Sequence, residues 1–165
     1  MRIVLGAWLA SLALLPSAAP AEDRYLLLGG GGVFDVALPN EAEDRAGAYA
    51  LELRLAPGLW HFHPHVGFQG TADGMVYGHT GIHLDLPLGE HVRLVPSGSI
   101  GLYDRGNNEK DLGGLMEFRV GAGLAWRFAK GLRLGASWYH MSNAYTADDN
   151  PGAEMLFLEV GYPLW

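Results

Sequence analysis

The sequence predicts an all-β fold, an eight-stranded antiparallel transmembrane β-barrel, on three observations. Segments of about ten residues alternate apolar and polar side chains along almost the whole chain, the period-2 signature of strands with two unlike faces. No apolar stretch of helix-spanning length follows the N-terminal leader, although hydrophobic residues make up 49% of the chain and the mean hydropathy is +0.08. The connections between the alternating segments are themselves alternately short and long, as in barrels whose tight turns lie on the periplasmic side and whose long loops lie outside.

The chain opens with Arg2, an apolar run from Ile3 to Leu15 and the small residues Ala19-Pro20-Ala21. This is the pattern of a cleaved secretory signal, and the run is too short for a membrane helix, which needs about 20 residues. Residues 1–21 are therefore expected to be removed and 22–165 to form one domain. Eight strands are predicted at 25–37, 45–56, 59–71, 74–87, 91–103, 113–128, 131–143 and 153–165. Ala56-Pro57-Gly58, Leu88-Gly89-Glu90 and Ala129-Lys130 read as tight turns, with a short link near Ala72-Asp73. Leu38–Asp44, Asp104–Leu112 and Ala144–Gly152 are the long polar loops.

Parity sorts the faces. The third strand sets Trp60, Phe62, Val66 and Phe68 against His61, His63, His65 and Gln69. The fourth sets Val76, Thr80, Ile82, Leu84 and Leu86 against His79, His83 and Asp85. The sixth sets Met116, Phe118, Val120, Ala122, Leu124, Trp126 and Phe128 against Glu117, Arg119 and Arg127. The signal sequence and the loop alternation turn the apolar rows toward lipid. Glycines 67, 81, 101, 121, 123, 135 and 161 then fall on the inner face, where a narrow barrel must make room for long charged side chains. The terminal Trp165, ending an alternating strand, is similar to the assembly signal of outer-membrane barrels.

Composition excludes several functions. Acidic residues outnumber basic ones, 18 to 11, a formal net charge of −7 that disfavours nucleic acid as a partner. There is no cysteine and so no thiol or disulfide chemistry.

One stretch carries candidate chemistry. On the seventh strand Trp138, His140 and Ser142 are spaced by two and leave the same face, with neighbouring Cα atoms roughly 6.5–7 Å apart. A polar turn follows, with Asn143, Asp148, Asp149, Asn150, Pro151 and Gly152, and Glu154 opens the next strand beside the His–Ser end. A serine hydroxyl needs a base within reach and a third group to fix the base's tautomer, and Ser142, His140 and Glu154 fit those roles. His-x-Ser on a strand is common and usually inert; the added carboxylate and the parity are what single this one out. Leu132, Leu134, Ala136, Trp138, His140 and Ser142 share the lipid face, as do Glu154, Leu156, Leu158, Val160 and Tyr162, while Glu159 points inward and is expected to take no part. Asp148 and Asp149 are substitutes for Glu154 held only by a loop. Ionisable groups directed at lipid are costly and are functional candidates for that reason.

The sequence H-x-S-N-A at His140–Ala144, followed by Asn150-Pro151-Gly152 and Glu154, resembles the C-terminal signature of the lipid A 3-O-deacylase (PagL) family of outer-membrane barrels, over about the last quarter of the chain. The resemblance implies an eight-stranded outer-membrane barrel that hydrolyses the 3-O-linked acyl ester of lipid A in lipopolysaccharide without a cofactor. It implies His140 as base, Ser142 as nucleophile, Glu154 as orienting acid, and Asn150 with Asn143 and adjoining backbone amides as oxyanion-stabilising groups. His140 and Ser142 would lie near the extracellular end of their strand, at the height of those esters. The expected partners are lipopolysaccharide and the outer membrane itself, with a homodimer an allowed assembly. The reading from another class is a non-enzymatic small barrel for anchoring, adhesion or narrow-pore passage, with an inert His–Ser pair.

A second constellation competes. His61, His63 and His65 with His79, His83 and Asp85 have the composition of a zinc or copper site. A narrow polar interior also pairs such groups with one another or with water, and that is the expected role, so that no metal is called. Glu52, Arg54, Arg93, Glu117, Arg119, Arg127, Arg133 and Glu159 likewise read as an internal charge network.

Overall fold

A computed structural model describes residues 25–36, 45–58, 61–108 and 110–164. The leader, Trp60, Trp165 and the loop around 38–44 lie outside the described residues. The strands are β1 (Tyr25–Phe34), β2 (Ala46–Arg54), β3 (His63–Thr71), β4 (Val76–His83), β5 (Leu86–Leu88), β6 (Val92–Asp104), β7 (Met116–Arg127), β8 (Arg133–Ser142) and β9 (Ala153–Leu164). Consecutive strands pair antiparallel from β1 to β4 and from β5 to β9, β1 pairs with β9, and β4 pairs with β6, so the sheet closes on itself. Eight long strands form the barrel. Closure leaves no free edge, the condition under which strands can cross a bilayer.

The ninth element follows from one residue. β5 continues β4 in the same register on β6: His83 lies opposite Ser97 and Leu86 opposite Leu94. Between them Leu84 donates its N–H to the Pro96 carbonyl at 3.0 Å. Pro96 has no N–H to return, and the ladder breaks there. The predicted fourth strand is thus one strand interrupted by a proline on its neighbour.

Parity holds around the barrel. Val66, Phe68, Val76, Ile82, Val120, Leu124, Trp126, Leu134, Trp138, Leu158 and Val160 form an exposed apolar outer face, while Glu52, Arg54, His65, His79, Glu117, Arg119 and Arg133 are buried inside. His61 departs from its expected place on the third strand. It lies before β3, exposed, with φ of +67°, in a turn where Gly58 N–H reaches the Phe62 carbonyl at 2.8 Å.

The interior is layered. Mid-barrel, Arg54 donates from Nε to Glu52 Oε1 at 2.8 Å, and Arg119 donates to Glu52 Oε2 at 3.0 Å and to Ser99 Oγ at 3.1 Å. Below, Asp85 takes Arg133 at 2.6 Å and Arg93 at 3.7 Å. The half of the interior beside the β6–β7 and β8–β9 loops differs from the polar interior that alternation predicts. Phe34, Met75, Tyr77, Tyr103, Leu112, Tyr139, Met141, Met155 and Phe157 pack there as an apolar cluster. Leu112, in the β6–β7 loop, is fully buried in it, so the described part of that loop packs into the barrel mouth as a plug. This plug gives the end carrying His140 and Ser142 a close-packed backing.

Candidate active site

The β8–β9 register sets His140 directly opposite Glu154, and β7 places Phe118 opposite Ser142 and Val120 opposite His140. In the antiparallel ladder facing residues share a side, so the imidazole and carboxylate meet on the outer face. His140 Nδ1 lies 2.8 Å from Glu154 Oε1, with both side chains a little over one third exposed. Their separation is that of a charge-assisted hydrogen bond. It holds the proton on Nδ1 and leaves Nε2 as the lone-pair nitrogen. Among the described residues Glu154 Oε2 is out of solvent and has no hydrogen-bond partner, so the imidazole is the one group that answers this carboxylate.

Ser142 leaves the same face two residues further toward the β8–β9 loop, half-buried, and among the described residues its hydroxyl has no hydrogen bond to His140. The structure therefore brings the imidazole and the carboxylate into contact, with the serine as their neighbour on the same row. Asp148 and Asp149 are exposed in the loop, and it is Glu154 that contacts His140. Glu159 is buried inside and bonded to Ser137, as inward parity requires.

The loop after Ser142 is built on Asn143, which is fully buried. Its Nδ2 donates to the Leu112 carbonyl at 2.7 Å and to the Asp149 carbonyl at 2.5 Å, and its Oδ1 accepts the Tyr145 N–H at 2.9 Å. Its own N–H donates to Asn150 Oδ1 at 3.0 Å. Asn143 thus spends its side chain inside the fold, tying the site loop to the β6–β7 plug, and orients Asn150 so that the latter's Nδ2 is left to donate elsewhere.

Three further residues shape the site. Ala144 and Tyr145 hold φ of +52° and +62°, two consecutive left-handed residues that are not glycine. Such conformations cost about 1–3 kcal/mol each and persist where surrounding bonds enforce them, here Asn143 and its contacts. Tyr145, 84% exposed, is turned outward by that turn. Gly152, with φ of +69°, closes over the His140 ring: a Cβ there would stand 3.0 Å from His140 Cε1. The sequence marks Gly152 only as a turn residue and gives Tyr145 no signal, because both roles depend on how the loop folds back over β8.

The interior histidines are elsewhere. His63 stacks on His83 with ring centroids 5.0 Å apart and donates from Nδ1 to the Leu55 carbonyl, 3.2 Å away. Asp85 is committed to the arginines named above. Among the described residues Glu52, His65 and His79 are the group whose donor atoms gather within 4.8 Å of one another, so the candidate cluster is narrower than the six residues named from sequence and includes a carboxylate assigned there to the charge network.

Comparison with known proteins gives three findings. Residues 49–163 match the family described as lipid A 3-O-deacylase (PagL). A crystal structure of the outer membrane enzyme PagL superposes with a TM-score of 0.61 at 17% identity, covering 84% of this chain and 99% of that one. A de novo designed transmembrane β-barrel does so with a TM-score of 0.60 at 10% identity, over 86% and 97% of the two chains. At these identities the superpositions establish the fold. No curated protein matches the sequence.

Proposed function

This chain belongs to the lipid A 3-O-deacylase (PagL) family of outer-membrane barrels, and from that premise we propose that it is a serine esterase that removes the 3-O-linked acyl chain of lipid A through an acyl-enzyme. The observation that carries the reading is the His140–Glu154 pair, 2.8 Å apart on the lipid-facing side and in the same row as Ser142. A purely structural barrel has no use for a paired imidazole and carboxylate aimed at lipid.

In this reading Glu154 holds Nδ1–H, and His140 Nε2 takes the proton from Ser142 Oγ as that oxygen attacks the ester carbonyl. A rotation of the Ser142 hydroxyl toward Nε2 on substrate binding supplies the missing contact; hydrogen bonds of this kind commonly tighten only in the substrate complex. The tetrahedral oxyanion accepts from Asn150 Nδ2, a contribution of about 3–4 kcal/mol in comparable sites. Asn143 supports this through its backbone N–H by fixing the Asn150 amide. Collapse breaks the bond to the sugar oxygen, which leaves with the proton from His140. Water then enters by the same route in reverse, His140 taking its proton, and releases the fatty acid and Ser142. The chemistry uses no metal. Tyr145 and the outer rows of β7 and β8 would flank the acyl chain and headgroup.

The test is the mass of lipid A from cells with and without the protein. The expected difference is the mass of one 3-O-linked acyl chain, and unchanged lipid A in cells with correctly inserted protein would count against the reading.

A further inference from the structure

The inner wall holds a second group of donors that the proposed hydrolysis does not use. Glu52 on β2, His65 on β3 and His79 on β4 come from three successive strands, and their donor atoms lie within 4.8 Å of one another. The register explains the meeting. Glu52 and His79 both pair across Gly67, one from each side, and Gly67 has no side chain to keep them apart. His65 is the next inward residue of β3. Glycines make the space for both rings: a Cβ at Gly81 would stand 2.7 Å from His65 Nε2, and one at Gly101 would stand 2.8 Å from His79 Cβ.

Both rings are buried, His65 to 1% and His79 to 5% exposure, and among the described residues none of their four nitrogens has a hydrogen-bond partner. Buried imidazoles ordinarily find partners, because an unpaired buried donor or acceptor is costly. Two neutral imidazoles offering lone pairs beside a carboxylate form a ligand set suited to a borderline divalent ion.

We propose that Glu52, His65 and His79 form an internal binding site for one divalent transition-metal ion of the zinc type, clamping β2, β3 and β4 across the barrel's inner face. Donor atoms now up to 4.8 Å apart would draw in by up to about 1.5 Å to reach tetrahedral spacing around such an ion. Arg54 and Arg119 each donate to one oxygen of Glu52 and fix its plane, while leaving further lone-pair positions on both oxygens. Their charge opposes a dication, so the imidazoles supply most of the affinity. His83, with its ring 5.6 Å from that of His65, is the nearest additional imidazole. The site faces inward and His140 faces out, so its occupancy is separate from hydrolysis.

The experiment refolds the barrel, without a histidine tag, in detergent containing zinc chloride, removes free ion and counts zinc per folded chain by elemental mass spectrometry. About one ion per chain is expected for the parent. The same is expected for a His61→Ala/His91→Ala/His140→Ala variant, which lacks the histidines outside the barrel, and nearly none for His65→Ala/His79→Ala. Zinc should also raise the parent's thermal midpoint by mass action, a readout that needs no variant to fold. Two results would overturn the site: a folded parent that takes up no zinc with an unmoved midpoint, or zinc that leaves with the outer histidines and stays when the inner pair is removed.

Discussion

His140 stands on the outer face of β8 with Glu154 as its partner, whereas His65 and His79 stand on the inner faces of β3 and β4 behind a screen of glycines. All three are strand histidines beside a glutamate. One step of strand parity separates them. The outward histidine is oriented at a single nitrogen, keeps an open one, and meets lipid; the inward ones are buried and oriented by packing. The contrast teaches that in a closed barrel this short the side of the sheet, rather than the residue type, decides whether an imidazole can meet substrate.

The sharpest way to break the comparison is to remove the outward imidazole. His140→Ala should lower deacylation by about 10³-fold or more, because among the described residues no other imidazole stands in the Ser142 row to take the serine proton. Insertion and heat-modifiable migration in detergent gels should be retained, since a polar group is being taken away from lipid. Near-parental turnover by a folded His140→Ala barrel would erase the distinction between the two histidine regions.

Glu154→Ala should cost less, roughly 10²-fold, because the carboxylate orients and stabilises a base that is still present. Rates measured on lipid A in mixed micelles, with both variants confirmed as folded, give the order directly. Equal losses would mean that Glu154 does more than hold Nδ1.

A third change probes the support rather than the chemistry. Asn143→Ala removes bonds to Leu112, Asp149 and Tyr145 and leaves the buried Leu112 carbonyl unpaired, a loss of about 1–3 kcal/mol in stability for that group. Thermal denaturation in detergent should show a lowered midpoint together with reduced turnover. A variant that is destabilised but fully active would confine Asn143 to holding the plug.

Much of this was legible beforehand because a strand's period is two. The outer rows, the inward turn of Glu159 and the meeting of His140 with Glu154 all follow from parity plus the loop that joins β8 to β9. What was hidden depends on partners far apart in sequence. The gap at Leu84 comes from Pro96 across the ladder, and the burial of Asn143 comes from the Leu112 carbonyl in another loop. His61 was misplaced because its turn continues to Phe62, a left-handed step that alternation cannot reveal. Glu52 reached the histidines because Gly67 leaves the space between two neighbouring strands, a fact of register and not of any single segment.

The smallest expected effect separates the two regions without mutation. Deacylation in micelles should change by less than about twofold in excess EDTA, because the proposed chemistry is carried by a hydroxyl, an imidazole and hydrogen-bond donors. A complete loss restored by added metal would place an ion in the hydrolytic step and join regions that parity keeps apart.

The central claim is that Ser142, in the outward row with His140, is the nucleophile. Ser142→Ala, refolded and verified by heat-modifiable migration, should release no 3-O-linked acyl chain from lipid A by mass spectrometry under conditions where the parent completes the reaction. Combined with His140→Ala it should be no worse than alone, since the two act as one unit. A folded Ser142→Ala barrel that removes the chain at near the parental rate would contradict the assignment.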